Sequence, residues 1–363
     1  MASNHLKPEP EAEPLFVDAF VDDAPKAIII DRSTAERYAT CPHQGAIIDS
    51  RMVSTGSVLT DVGSEVHRVI SEAIKARAEG MNTIGVREVM ATGAQKSRPD
   101  VQPQVIDALN VYRVTNLICM GDTAERHPAD IIRFDGGEHE ASGQVATQLF
   151  PAEGDRPPVI ITCELDFLAA TASTVEVDLL DWKSGWRHWT AGLVAQSFQF
   201  QWYAFVIWRN YPRVERVRVR VVETRSGNTT GEVVFTREKH EFPITARIET
   251  AVGNYLQYRG QTPAKVPAWP EPDKCATCDA ALQCKLAHEP AADVARDPEG
   301  AVRQLIVLQT AADRLKASLS VAVRKQGKDF VFDDVAFGVG KPKAQRAAAC
   351  DYYETPGRVM QTT

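Results

Sequence analysis

Asp181, Trp182 and Lys183 form the run D-W-K-S-G at the end of a β-branched stretch, with Asp166 upstream in E-L-D-F. On a strand, residues i and i+2 point to the same side, so Asp181 and Lys183 share a face and Trp182 points the other way. A neighbouring antiparallel strand would bring Asp166 beside Asp181, so that two carboxylates and a lysine converge. That set suits phosphodiester hydrolysis. Carboxylate oxygens ligate a hard divalent cation, which offsets phosphate charge and acidifies a bound water. A lysine within reach orients that water or stabilises developing charge. The plain alternative is a surface Asp/Lys pair on a strand, since D-x-K recurs by chance.

Weaker candidates flank this set. His67, in G-S-E-V-H, lies on a helical segment that also carries Gly63. Histidine ligates first-row metals and would tilt preference from Mg2+ towards Mn2+, although a lone helical histidine is more often a packing residue. Gln199 and Tyr203, spaced i and i+4, share a helix face. The glutamine amide can hydrogen-bond phosphate or the lysine, and the tyrosine can stack on a base; the plain reading puts both on an amphipathic core face.

Four of the seven cysteines make a second pattern: Cys41 in S-T-A-E-R-Y-A-T-C-P, then Cys275, Cys278 and Cys284 spaced C-x2-C-x5-C. Four thiolates hold either a structural zinc or an iron–sulfur cluster, and spacing leaves both open. More than 230 residues separate Cys41 from Cys275. Joining them closes a very long loop, which favours a structural staple over an electron carrier. Asp273 and Lys274 precede the second cysteine, and Leu282 can pack over the group. Cys119, Cys163 and Cys350 fit ordinary thiols.

The elements that position these residues follow from periodicity. Helices are expected over 33–40, 61–79, 101–119, 192–210, 244–259 and 299–325, with apolar Val66, Val69, Ile70 and Ala73 on one face of the second. A meander of strands is expected over 130–134, 143–150, 158–170 and 174–182, then strands at 214–224 and 231–236. Residues 209–225 carry six arginines against two glutamates, and read either as a basic groove or as the solvated face of an edge strand. Residues 1–25, rich in Pro, Glu and Asp, are expected to be disordered.

Composition sets outer limits. The chain has 363 residues, 44% hydrophobic and 25% charged, with a net charge of −7, ordinary for a soluble globular protein. The acidic total does not exclude DNA binding, because a local groove counts for more. No apolar run approaches the roughly 20 residues that span a bilayer. An odd cysteine count without a signal peptide favours a reducing compartment, hence a cytoplasmic expectation and no membrane partner.

In order, the motifs are S-x4-Y-x2-C-P at Ser33, Tyr38, Cys41 and Pro42, then Gly63 with His67. A strand ending in Asp166, D-W-K-S-G at 181–185, Gln199 with Tyr203, and C-x2-C-x5-C complete the series. This order over about residues 30–290 resembles the PD-(D/E)XK nuclease superfamily in its RecB-like branch with an iron–sulfur cluster. It is similar to the CRISPR-associated exonuclease family, its phage-encoded relatives and AddB-like nuclease domains. The resemblance implies an α/β fold with a restriction-endonuclease-like core, a central mixed β-sheet flanked by helices, with helical additions and a cysteine-ligated cluster joining the N- and C-terminal parts. It implies a nuclease domain over 26–290 and a helical extension of unassigned role over 291–363. His67, Asp166, Asp181 and the Trp182 carbonyl would ligate Mg2+ or Mn2+, Lys183 would be the active-site lysine, and Gln199 with Tyr203 would complete the catalytic set. Cys41, Cys275, Cys278 and Cys284 would hold a [4Fe–4S] cluster. Glu164 stands where the family usually has a small apolar residue, an extra carboxylate without a role.

The expected activity is a metal-dependent DNA exonuclease acting on single strands or duplex ends in replication, recombination or repair. The rivals are a non-catalytic DNA-binding subunit guiding a strand to a helicase or recombinase partner, and a redox sensor.

Overall fold

The computed structural model describes residues 27–50, 58–120, 143–154, 156–170, 175–271, 274–275, 278–288, 294–326, 330–332 and 335–337. The expected disorder of 1–25, the strand at 130–134, Asp273 and Cys350 lie outside them. The chain divides into two compact units, one of Met1–Ala39 with Thr55–Gln257, the other of Thr40–Ser54 with Tyr258–Thr363. The second unit therefore takes in the cysteine segment as well as the helix expected beyond residue 291.

The first unit contains strands β1 (Ile28–Asp31), β2 (Gly143–Phe150), β3 (Val159–Leu165), β4 (Phe167–Ala170), β5 (Glu176–Lys183), β6 (Arg216–Glu223) and β7 (Asn228–Thr236). Its helices are α1 (Arg32–Thr40, whose last residue opens the second unit), α3 (Val58–Ala78), α4 (Thr83–Gln95), α5 (Gln102–Ala108), α6 (Val111–Met120), α7 (Ala191–Gln196), α8 (Phe198–Asn210) and α9 (Arg237–Tyr258, which likewise ends in it). One sheet has the order β1-β3-β2 and the other β4-β5-β6-β7. Both are mixed: β1 runs parallel to β3, and β5 parallel to β6, while the remaining pairs are antiparallel. The unit is thus α/β, with mixed sheets flanked by helices. The expected meander differs in one respect, because β3 and β4 belong to different sheets and Asp166 alone separates them.

Alternation along β5 sorts its side chains between two apolar cores. Val177 and Leu179 join a core with Phe200, Trp202 and Phe205 of α8 and Ile248 of α9. Leu180 and Trp182 face a second core built on Val66, Val69 and Ile70 of α3, with Val86 and Met90 of α4. A strand covered on both faces is what a parallel pairing demands. Helix α8 buries residues nearly all round, including Trp202 and Trp208, as a helix does when enclosed on all sides. Trp202 also donates its indole N–H to the Thr162 carbonyl of β3 at 3.2 Å, fixing α8 to the first sheet.

Helix ends carry their own signals. Asp31 accepts the Thr34 backbone N–H at 2.9 Å and starts α1 where β1 stops. Asn82 caps α4 from Gly85 N–H at 2.9 Å, and Thr190 caps α7. Two helices expected as continuous are broken. Ser197 is extended between α7 and α8 (φ −64, ψ 128), and Asn110 turns its N–H onto the Thr224 carbonyl at 2.8 Å between α5 and α6. Helix α4 was not anticipated, since its apolar spacing is interrupted by Gly85 and Gly93.

The arginine-rich segment corrects the edge-strand reading. Strand β6 lies between β5 and β7, and its arginines meet acids across the parallel ladder. Arg216 bonds Glu176 at 2.8 Å, and Arg218 also reaches Glu176. Arg220 bonds Asp178 at 3.2 Å, with both side chains buried. The sequence shows the cations, but not that their counter-ions sit at matching positions of another strand.

The second unit is built on α2 (Pro42–Asp49), short 3-10 turns at Pro263–Lys265 and Ala281–Gln283, α10 (Lys285–His288), α11 (Pro298–Gln326) and a hairpin of β8 (Phe330–Phe332) with β9 (Val335–Phe337). Pro42 opens α2, where its missing N–H costs no helical bond. Among the described residues, no helix is long and apolar enough to cross a membrane.

Removing one partner of a buried ion pair strands the other, at a cost of about 3–5 kcal/mol. Asp178→Ala should therefore lower unfolding free energy by about that amount in chemical denaturation. A loss below about 1 kcal/mol would mean that the pair behaves as a solvated surface contact.

Candidate functional site

Antiparallel pairing sets Phe167 opposite Leu180, so the next residues outward, Asp166 and Asp181, face one another at the end of the β4–β5 ladder. Asp166 Oδ2 accepts the Trp182 backbone N–H at 2.8 Å, finishing the ladder with a side chain. Its Oδ1 lies 3.0 Å from His67 Nδ1 on α3. Asp181 is 1% exposed. Its Oδ1 accepts Gln199 Nε2 at 2.8 Å, and its Oδ2 lies 2.6 Å from Lys183 Nζ. That last contact is a close ion pair, with Lys183 partly exposed and Asp181 buried.

Gln199 is the hub of a second line of contacts. Its carbonyl oxygen accepts Lys183 Nζ at 3.1 Å, and its amide reaches Tyr203 Oη at 2.8 Å one turn along α8. Trp189 and Phe200 rings flank the ammonium at 5.6 and 5.8 Å. The six residues expected to act together, His67, Asp166, Asp181, Lys183, Gln199 and Tyr203, are thus one contiguous network. Trp182 contributes its backbone to it and sends its indole into the opposite core. An open cleft is lined by His67, Asp166, Lys183, Gln199 and Tyr203, with Ser33, Gly63 and Glu164, while Asp181 lies buried beneath it. Glu164 is exposed on that cleft.

Burial pushes the Asp181 carboxyl up and Asp166 adds to the rise, against the pull of Lys183. Burial alone would lower the His67 imidazole, but the Asp166 charge and hydrogen bond, with Asp181 behind them, raise it. Tyr203 is driven well above the usual phenol range by burial and then by the two aspartates, so it stays a neutral donor or acceptor. Two carboxylates are thus held against one ammonium and one imidazole. Two adjacent carboxylates have the donor chemistry of a hard-cation site. Among the described residues, however, no group of three or more His, Cys, Asp or Glu side chains is arranged to hold a metal ion. Asp166 and Asp181 are turned onto His67, Lys183 and Gln199 instead.

Cys41, Cys275, Cys278 and Cys284 all fall in the second unit and line one cavity, together with Trp269, Leu286 and Val307. Leu286 rather than Leu282 supplies the aliphatic wall. Burial pushes the Cys278 thiol up to about 11, and the other three cysteines add to it. Cys275 and Cys284 are raised for the same first reason. The Trp269 backbone N–H points at Cys41 Sγ at 3.4 Å, the kind of donor that steadies a ligating sulfur. Four soft donors line one cavity with an amide aimed at one sulfur, the donor chemistry of a thiolate-bound cation or cluster, although among the described residues these thiols are not drawn together into a ligand group either. Cys163 is buried and raised by that burial, and Cys119 is half-buried and likewise raised.

His43 escaped the sequence reading. It is buried beside the cysteine cavity, with Nδ1 2.9 Å from the Pro263 carbonyl and Nε2 accepting Lys285 N–H at 3.1 Å. That bond holds the chain immediately after Cys284. Its position two residues beyond Cys41 was the only signal. No family model matches this chain, and no curated protein matches it.

Asp166→Asn keeps an oxygen for the Trp182 N–H while removing the charge beside His67. The His67 imidazole should then titrate at lower pH, followed by NMR of its ring protons. An unchanged midpoint would mean that the Asp166–His67 contact is absent in solution.

Proposed function

We propose that this chain is a metal-dependent deoxyribonuclease of the PD-(D/E)XK type, in the RecB-like branch with an iron–sulfur cluster, hydrolysing single-stranded DNA or DNA ends. The observation that carries this reading is the juxtaposition of Asp166 and Asp181 with Lys183, held in place through Gln199 and Tyr203. A mixed sheet with apolar cores on both faces of β5 is compatible with a restriction-endonuclease-like site. The complete acid–lysine–glutamine set speaks against a DNA-binding subunit with a decayed site.

A divalent cation on the two carboxylates would neutralise phosphate charge and acidify water. Asp166 and Asp181 are the residues to hold it, with His67 adjacent. Lys183 then aims its ammonium at the scissile phosphate or at the attacking water. Gln199 fixes that ammonium by its carbonyl, and Tyr203 fixes the orientation of the amide. The network therefore sets the direction of the lysine before any substrate arrives. In the second unit Cys41, Cys275, Cys278 and Cys284 are the residues to hold a [4Fe–4S] cluster, which would tie segment 40–54 to the segment beyond 258 as a structural staple.

Purified anaerobically, the protein is expected to be brown, and to degrade end-labelled single-stranded DNA with Mn2+. Asp181→Ala should abolish degradation and Lys183→Ala should slow it by about 10²–10³-fold, each retaining the colour. Either variant cutting at the wild-type rate would overturn the assignment.

Cys41→Ala should lose the colour and lower the thermal midpoint together, with activity falling as a consequence. A colourless wild-type protein containing zinc would replace the cluster with a zinc staple and leave the nuclease assignment standing.

A further inference from the structure

Just past Lys183 the chain presents Trp186, whose side chain is 81% exposed. One face of its indole is covered: the Arg225 guanidinium lies 4.0 Å from the ring centroid. That arginine is firmly held. Its Nε donates to the Ser184 carbonyl at 3.0 Å, and NH1 donates to the Asp107 carbonyl at 3.2 Å and to the Asp107 carboxylate. Arg225 is therefore engaged by Asp107 and Ser184, and its role towards the indole is to fix the plane of the ring.

Nearby, Arg187 lies over Trp189 at 5.0 Å, and Trp189 in turn flanks Lys183. The segment 183–189 thus interleaves cations with aromatic rings beside the acid cluster. Glu223 is the opposing charge: it takes His188 Nδ1 at 2.8 Å and the Trp189 N–H at 3.1 Å, which anchors the segment from below. Ser184 connects the platform to the cleft, since a Cβ on Gly63, a residue lining that cleft, would sit 3.6 Å from Ser184 Oγ. Three residues of chain span at most about 11 Å, so Trp186 lies within that reach of Lys183.

We propose that Trp186, backed by Arg225, is a stacking subsite for an unpaired nucleobase of the strand whose phosphate lies at Asp166 and Asp181; this rests on the nuclease reading. A ring with one face held by a guanidinium offers its other face to a flat π-system. A base on a single strand is the flat partner whose attached phosphates the neighbouring lysine and arginine attract. Stacking of this kind tolerates every base and demands an unpaired one, so it selects single strands over duplex without reading sequence. Trp186 touches no reacting group and acts by positioning the strand.

The test is equilibrium binding, without added divalent cation, of a labelled oligothymidylate and of a tetrahydrofuran-abasic strand of the same length. Trp186→Ala should weaken oligothymidylate binding on the order of tenfold and leave abasic binding unchanged, while Trp186→Phe stays near wild type. Mn2+-dependent cleavage of the abasic strand should proceed at the same rate in Trp186→Ala as in the wild type. Equal affinity of wild type for base-bearing and abasic strands, or wild-type binding by Trp186→Ala, overturns the subsite. If base-dependent binding is lost in Trp186→Ala but the wild-type protein cuts no DNA, the subsite stands and the nuclease reading falls. Normal cleavage with unaltered binding by Trp186→Ala does the reverse.

Discussion

Where β4 meets β5, the Asp166 carboxylate accepts the Trp182 backbone N–H, and the geometry of the first unit's cleft depends on that bond. Strand β3 ends at Leu165 in one sheet and β4 begins at Phe167 in the other. A residue at such a junction must satisfy a backbone donor that no neighbouring strand reaches. Asp166 does so with one oxygen and keeps the other for His67. The same register places Asp181 opposite, and alternation then puts Lys183 on the same face. One side chain thus closes a ladder, connects two sheets and brings the acids together.

Such a cluster is costly to hold. Asp181 is almost wholly out of water, which disfavours its charged form by more than a surface carboxylate would suffer. Lys183 compensates in part, at 2.6 Å, and Gln199 adds a directed hydrogen bond. The rest of the unit keeps this arrangement rigid: α8 is buried nearly all round, and Trp202 fixes it to β3. Gln199 and Tyr203 are therefore set by a helix that has little freedom to shift. An enclosed helix presenting two polar groups to a buried acid is a locally unfavourable choice, which is the pattern expected of a functional site rather than of a packing core.

Much of this was legible beforehand. Strand alternation placed Asp181 and Lys183 on one face, and i, i+4 spacing paired Gln199 with Tyr203. The β4–β5 pairing supplies the antiparallel approach that brings Asp166 beside Asp181. What periodicity missed were the places where tertiary partners outweigh local preference. Ser197 breaks a helix that reads as continuous, and Asn110 does the same to satisfy Thr224. The arginines of β6 looked solvated because their partners Glu176 and Asp178 lie 40 or more residues away. His43 and Trp186 were invisible because a lone histidine or tryptophan carries no pattern until its surroundings are known.

The second unit's cysteine cavity draws on two stretches of chain that are far apart in synthesis. Segment 40–54 emerges from the ribosome more than 200 residues before Cys275 does. At about 5–20 residues per second, Cys41 and its helix wait on the order of ten seconds or longer for their partners. During that interval Ala46 and Ile47, buried in the finished unit, lack the surface that later covers them. The first unit can assemble around its sheets while this short helix is still waiting. Completion of the four-cysteine cavity is thus a late event, which cannot begin before Cys284 has been made. A nascent chain arrested before residue 275 would be complete in its acid cluster and unfinished at its thiols.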